Sequence, residues 1–121
     1  MVAPNIVNTS TITAKTDVLS VTTTATAITT NPSSSGKVYK INSLLISNIS
    51  GTVVADITVD VFRSSVSYKI ANTISVPLDA TLVVISKDIS IYLEEGDSLR
   101  CLASADSNLQ AICSYEIISD I

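Results

Sequence analysis

The chain has 121 residues, 46% of them hydrophobic and 15% charged, with a formal charge of −4 at pH 7. This suits one domain of the commonest size. The seven basic residues are scattered, which argues against the clustered cations that displace counterions from nucleic acid. Histidine is absent, which removes the commonest general base and metal ligand and any Ser-His-Asp or Cys-His arrangement within the chain.

No stretch approaches the roughly 20 uncharged apolar residues of a membrane helix. The mean hydropathy of +0.47 therefore reflects β-branched strand residues, and the mild negative charge reads as serving solubility. Met1 to Ser10 shows no basic run followed by an apolar one. No signal peptide is expected, and folding in a cytoplasm is the simplest reading.

Thr, Ser, Asn and Val dominate from Met1 to about Ser35. Thr and Val favour extended structure, so Asp17 to Thr30 is expected to form one long strand or two short ones. The first 15 residues carry few large apolar groups, and two readings stay open for them. They are an arm that orders only against a neighbour, or an ordinary edge strand. Asn31-Pro32-Ser33-Ser34-Ser35-Gly36 reads as a loop. Residues 1–36 are accordingly set apart as a Ser/Thr-rich N-terminal arm with the first strand or strands, and residues 37–121 as the core of the domain.

In Lys37 to Asn48, Tyr39, Ile41 and Leu45 alternate against Lys40 and Asn42. Leu44-Leu45-Ile46 breaks the alternation, as expected where a strand is covered on both faces. Ser50-Gly51-Thr52 turns the chain into the clearest element, Val54 to Val76. There Ala55, Ile57, Val59 and Val61 oppose Asp56, Thr58 and Asp60. After Arg63-Ser64-Ser65, Tyr68, Ile70, Ile74 and Val76 oppose Lys69, Ala71, Thr73 and Ser75. Successive strand side chains point to opposite faces, so this predicts a hairpin with one buried and one wet face.

Pro77-Leu78-Asp79-Ala80 is a corner, and Leu78 to Thr81 is the one place where a helical turn is expected. Thr81 to Ser86 is an apolar strand, Lys87-Asp88 a turn, Ile89 to Leu93 a short strand, and Glu94-Glu95-Gly96-Asp97 a tight acidic turn. Ser98 to Ala105 and Leu109 to Ile118 read as a final hairpin. Leu99, Cys101, Ala103 and Ala105 share a face with Leu109, Ala111, Cys113, Tyr115 and Ile117. If Ala105 pairs with Leu109, Cys101 faces Cys113 with Cβ atoms about 4.5–5.5 Å apart, near disulfide reach. A register one residue different removes that coincidence. Without a secretion signal, two reduced, buried thiols acting as small core hydrophobes are the preferred reading. Two thiols without histidine leave a zinc shell half empty.

About eight strands at spacings near 8–12 residues describe an all-β chain, a single-domain antiparallel β-sandwich of jelly-roll type with almost no helix. Three glycines and three prolines leave Asn, Asp and Ser to make most turns. Sparse charge gives edge strands little protection from unwanted pairing, which favours an oligomer whose neighbours cover the edges.

Three constellations bear on chemistry. Asp56 and Asp60 sit four positions apart, about 13 Å along a strand. That is too far for an acid–base pair on one bond, where about 5–10 Å is usual, and a solvated face is expected. Glu94, Glu95 and Asp97 do not match the spacing of a calcium loop and read as a strand-connecting turn in which Gly96 takes positive φ. Tyr39, Tyr68, Tyr92, Tyr115 and Phe62 sit mostly at inward-reading positions, so core or interface packing is expected rather than sugar platforms. No catalytic, cofactor-binding or metal residues are assigned.

The strands KVYKINSLLISN, ADITVDVFRSSVSYKIANTISVP, TLVVISKDISIYLEEGDSLRCLASA and LQAICSYEIIS, with the opening APNIVN, resemble short virion structural proteins of tailed phages, especially those infecting marine bacteria such as cyanobacteria. The most distinctive piece runs from Ile91 to Arg100, followed by Ser114-Tyr115-Glu116. The resemblance implies a non-enzymatic virion component without cofactors, present in many copies and assembled in the host cytoplasm. Its partners would be itself, as a trimer or ring, and the major capsid protein or neck and tail proteins, with no nucleic acid or membrane. A capsid decoration protein is the leading expectation. The alternatives are a neck, tail or fibre-adaptor ring subunit, or a receptor- or carbohydrate-binding module.

Overall fold

The period-two pattern produces strands almost throughout. The computed structural model describes residues 11–119. The strands are β1 (Thr11–Ser20), β2 (Thr26–Thr30), β3 (Lys37–Asn48), β4 (Ala55–Arg63), β5 (Val66–Val76), β6 (Thr81–Ile85), β7 (Ile91–Leu93), β8 (Ser98–Ala103) and β9 (Leu109–Ser119). All pairings are antiparallel. Sheet I has the order β1-β9-β3-β6, with β7 also on β3, and sheet II has the order β2-β8-β4-β5. Strands β6 and β7 pair with opposite halves of β3, Leu44–Ser47 and Tyr39–Ile41. Between them lies a 3₁₀ turn at Lys87–Ile89. They therefore share one strand position, giving eight positions, four in each sheet, in the strand order of a jelly roll.

The core lies between the sheets. Ile41, Leu44 and Ile46 of β3 meet Ile57 and Val59 of β4, with Leu99 and Leu109 from β8 and β9, all fully buried. Each such aliphatic side chain contributes about 1.5–3 kcal/mol. Tyr39 and Tyr115 are the buried aromatics, stacked with ring centroids 5.4 Å apart.

The β4–β5 hairpin forms as expected. Ser64 and Ser65 both take left-handed φ, 51° and 63°, the two-residue turn whose twist matches the flanking strands. Its second strand departs from simple alternation. Register shifts near Val59 bring Ala71 inward in place of Ile70. In β3 a shift between Ile41 and Ser43 turns Leu44 and Ile46 inward and Leu45 outward, so one bulge rather than two-sided burial explains the apolar run.

The final hairpin is corrected. Strands β8 and β9 lie in different sheets. Their apolar faces therefore pack against each other across the core instead of lying side by side. Cys101 opposes Thr26 and Val59, and Cys113 opposes Asp17 and Leu44. Both thiols are free and buried, as preferred above. The helical turn sits at Lys87–Ile89, after β6, rather than near Leu78. Thr11–Ser20 is an edge strand of sheet I. The opening residues before Thr11 lie outside the described part.

Candidate functional site

Asp60 lies on the outer face of β4, opposite Arg100 of β8 and Lys69 of β5. The Arg100 guanidinium donates to both carboxylate oxygens, at 3.0 Å from Nε and 2.7 Å from Nη2, and the Ser67 hydroxyl donates to Oδ2. Arg100 also lies 3.9 Å from the centre of the Phe62 ring, in reach of a cation–π attraction. Asp60 is thus 5% exposed despite facing outward, which corrects the expected solvated face. Thr58 is buried too, accepting from the Thr73 N–H at 3.1 Å. Asp56 is remote from this cluster in the ladder, opposite Ser75. Burial acts to raise the Asp60 pKa, but the Arg100 and Ser67 hydrogen bonds and the charges of Arg100 and Lys69 outweigh it and leave it lowered. The carboxylate is an ion-pair partner with no proton to donate near neutral pH.

The acidic turn is occupied in the same manner. Asp97, almost fully buried, accepts from Arg63 Nε at 2.9 Å and Nη2 at 2.5 Å and from the Glu94 N–H at 2.8 Å. Arg63 Nη2 also reaches Glu94 Oε2 at 2.9 Å. The Asp97 hydrogen bond is the main cause of a raised Arg63 pKa. Glu95 accepts from the Gly36 N–H at 2.9 Å, and Gly96 takes the expected positive φ of 87°. The charge a calcium ion would supply here comes from a guanidinium. Among the described residues no group of three His, Cys, Asp or Glu is gathered for a metal.

Asn31, read from sequence only as a turn residue, is fully buried beside this turn. Its amide donates to the carbonyls of Lys37 at 2.9 Å and Leu93 at 3.0 Å, and its Oδ1 accepts from the Ser35 hydroxyl at 2.6 Å. An Asn-Pro at the head of a loop carries no signal that separates this role from an exposed turn. Asp17 of β1 was likewise unremarked. It accepts from Thr29 Oγ1 at 3.1 Å and Tyr115 OH at 2.8 Å, joining β1 to both sheets. Burial first, then Asp17, raises the Tyr115 pKa. Burial likewise pushes the Cys101 thiol up to about 12 and the Cys113 thiol up to about 11, leaving neither nucleophilic at neutral pH.

The aromatics divide. Tyr39 and Tyr115 are buried, while Tyr68 and Tyr92 are 57% and 43% exposed because they lie on the marginal strands β5 and β7. They line a shallow groove of about 320 Å³ with Val61, Arg63 and Ile91.

The outer face of sheet I is different in kind. Directly opposed residues share a face, so Val18, Ile112, Leu45 and Val83 form one apolar row across β1, β9, β3 and β6. Val18 is 73%, Val83 57% and Ile112 38% exposed. One neighbouring row is Ser20, Gln110, Ser47 and Thr81. On the other side come Thr16, Ser114 and Ser43, then Ala14, Glu116, Lys40 and Tyr92.

No family model matches the chain, and no curated protein matches it. Among solved structures it is similar to a chain from the work titled "Bacillus endospore appendages form a novel family of disulfide-linked pili", at 18% identity and a TM-score of 0.53, covering 90% of this chain and 88% of that one. That likeness is one of fold.

Proposed function

We propose that this chain is a non-enzymatic structural subunit of a tailed-phage virion, first of all a capsid decoration protein that stabilises the head through oligomeric contacts. The observation that carries the reading is the contrast between acidic groups satisfied within the chain and an open sheet edge. The acidic side chains Asp60, Glu94 and Asp97 are bound by arginines of the same chain. Strand β1, in contrast, offers ten residues of sheet edge bearing only Lys15 and Asp17 as charges. Such an edge is a template for pairing with another chain. Assembly in the host cytoplasm and residence in the virion follow from the sequence resemblance, as does the alternative of a neck, tail or fibre-adaptor ring subunit.

A second reading is a filament subunit, favoured by the fold likeness to the spore-pilus chain. A carbohydrate-binding module draws support from the exposed pair Tyr68 and Tyr92.

The test is cryo-electron microscopy of intact particles together with light scattering of the purified chain. Copies that follow the capsomers of the shell support decoration, and a single ring on the tail axis supports the alternative. Free filaments from purified protein favour the pilus reading. A monomer absent from every particle defeats the proposal.

A further inference from the structure

We propose that the outer face of sheet I seats a second copy of this chain, packed face to face about a two-fold axis that runs along the strands between β3 and β9. This rests on the preceding reading only in that the chain associates with itself.

The four strand positions are arranged symmetrically about that line, with β9 and β3 inside and β1 and β6/β7 outside. A rotation about an axis along the strands keeps each residue in its row and exchanges the strands. Ile112 of one copy then lies over Leu45 of the other, and Val18 over Val83. In the charged row, Lys40 lies over Glu116 twice, and Tyr92 lies over the small Ala14 twice. The row Ser20, Gln110, Ser47 and Thr81 meets itself, Ser114 meets Ser43, and Thr16 lies over the 3₁₀ turn at Lys87–Ile89. Glu116 is held for this by Asn42, whose amide donates to Oε1 at 3.2 Å.

Charge selects this axis. A two-fold across the strands, through the apolar row, carries the Lys40–Glu116 row away from its own image, so Lys40 and Glu116 no longer meet. Either axis keeps the strand lines of the two sheets aligned within about 30°, the favoured packing of stacked sheets, so it is charge that chooses between them. The four rows span about 19 Å by 27 Å, or roughly 500 Å² per copy. A standard interface takes about 800 Å² per partner. The contact is therefore a concentration-dependent dimer in isolation, tightened when copies are held side by side in an assembly.

The decisive experiment uses the full chain and the variants Lys40→Glu and Glu116→Lys, with mass read by sedimentation from low micromolar to millimolar concentration. The wild type is expected to dimerise as concentration rises. Each variant alone faces like charges across the interface and should dimerise about ten-fold more weakly or worse. Mixed one to one, the two variants present opposite charges and should form a heterodimer at least as tight as the wild-type dimer. Repulsion within either chain cannot produce that result. Val83→Ser, at an exposed position, is expected to weaken the dimer with an unchanged melting temperature. A wild type that stays monomeric, or a mixture that forms no heterodimer, overturns the assignment. If particles still carry the protein after that result, only the face is wrong; if they never carried it, the virion reading fails separately.

Discussion

The outer faces of the two sheets follow the same strand pattern to opposite ends. On sheet II, Asp60 is clasped by Arg100 and Ser67, and Arg100 is stacked on Phe62, so the polar groups of that face find partners in their own chain. On sheet I, the row Val18, Ile112, Leu45 and Val83 stays exposed or half-buried between rows of Ser, Thr and Gln. A partly buried ion pair is costly to disturb because the remaining charge is stranded. An outward valine or isoleucine contributes little to folding, so its burial is left for association. The difference teaches that exposure and polarity are separable: the charged face is the closed one and the mostly uncharged face is the open one.

The largest effect should come from breaking the closed face. Arg100→Ala leaves Asp60 without its main donor and is expected to cost about 2–4 kcal/mol in urea unfolding monitored by circular dichroism. The same contact governs acid stability. Asp60 has a folded pKa below its ordinary value of about 3.9. Its contribution is therefore present above that value and is lost as pH falls through the lower folded one. Acid titration of the wild type should show that loss below pH ~4, and Arg100→Ala should largely abolish it.

A smaller effect is expected at the join between the sheets. Asp17→Ala removes the acceptor shared by Thr29 and Tyr115, costing about 1–2 kcal/mol. Hydrogen exchange should show faster amide exchange confined to β1. The smallest folding effect belongs to the open face. Ile112→Ser should change unfolding by no more than about 1 kcal/mol, yet lower the associated fraction in sedimentation. Equal folding costs at Arg100 and Ile112 would erase the distinction between the faces.

Much of the architecture was legible because alternation is a property of the chain itself. The bounds of β3 and a turn around Arg63-Ser64-Ser65 could be read directly from residue types, and the structure narrows that turn to Ser64 and Ser65. What alternation cannot encode is which strand lies beside which. Leu99, Cys101 and Ala103 present the same apolar face whether they lie next to Leu109, Ala111 and Cys113 or above them. The hairpin and the stacked pair therefore look alike in sequence. The bulge at Asn42 is equally silent, since one extra outward residue reverses every later side chain without a marker such as glycine. Asp60 was correctly placed outward. Its burial depends on long side chains reaching from Arg100 on β8 and from β5, and so on the sheet order. Asn31 and Asp17 were missed because their roles arise only where distant carbonyls and hydroxyls converge.

The interruption between β6 and β7 has a directional consequence. On that side sheet I offers two short segments separated by a helical turn, with no long run of free amides to which an incoming strand could zip. The opposite side presents β1 uninterrupted. Lateral growth through this sheet thus has a live end and a dead end. A strand added at the live end extends the sheet once, and propagation stops at the next molecule's broken border.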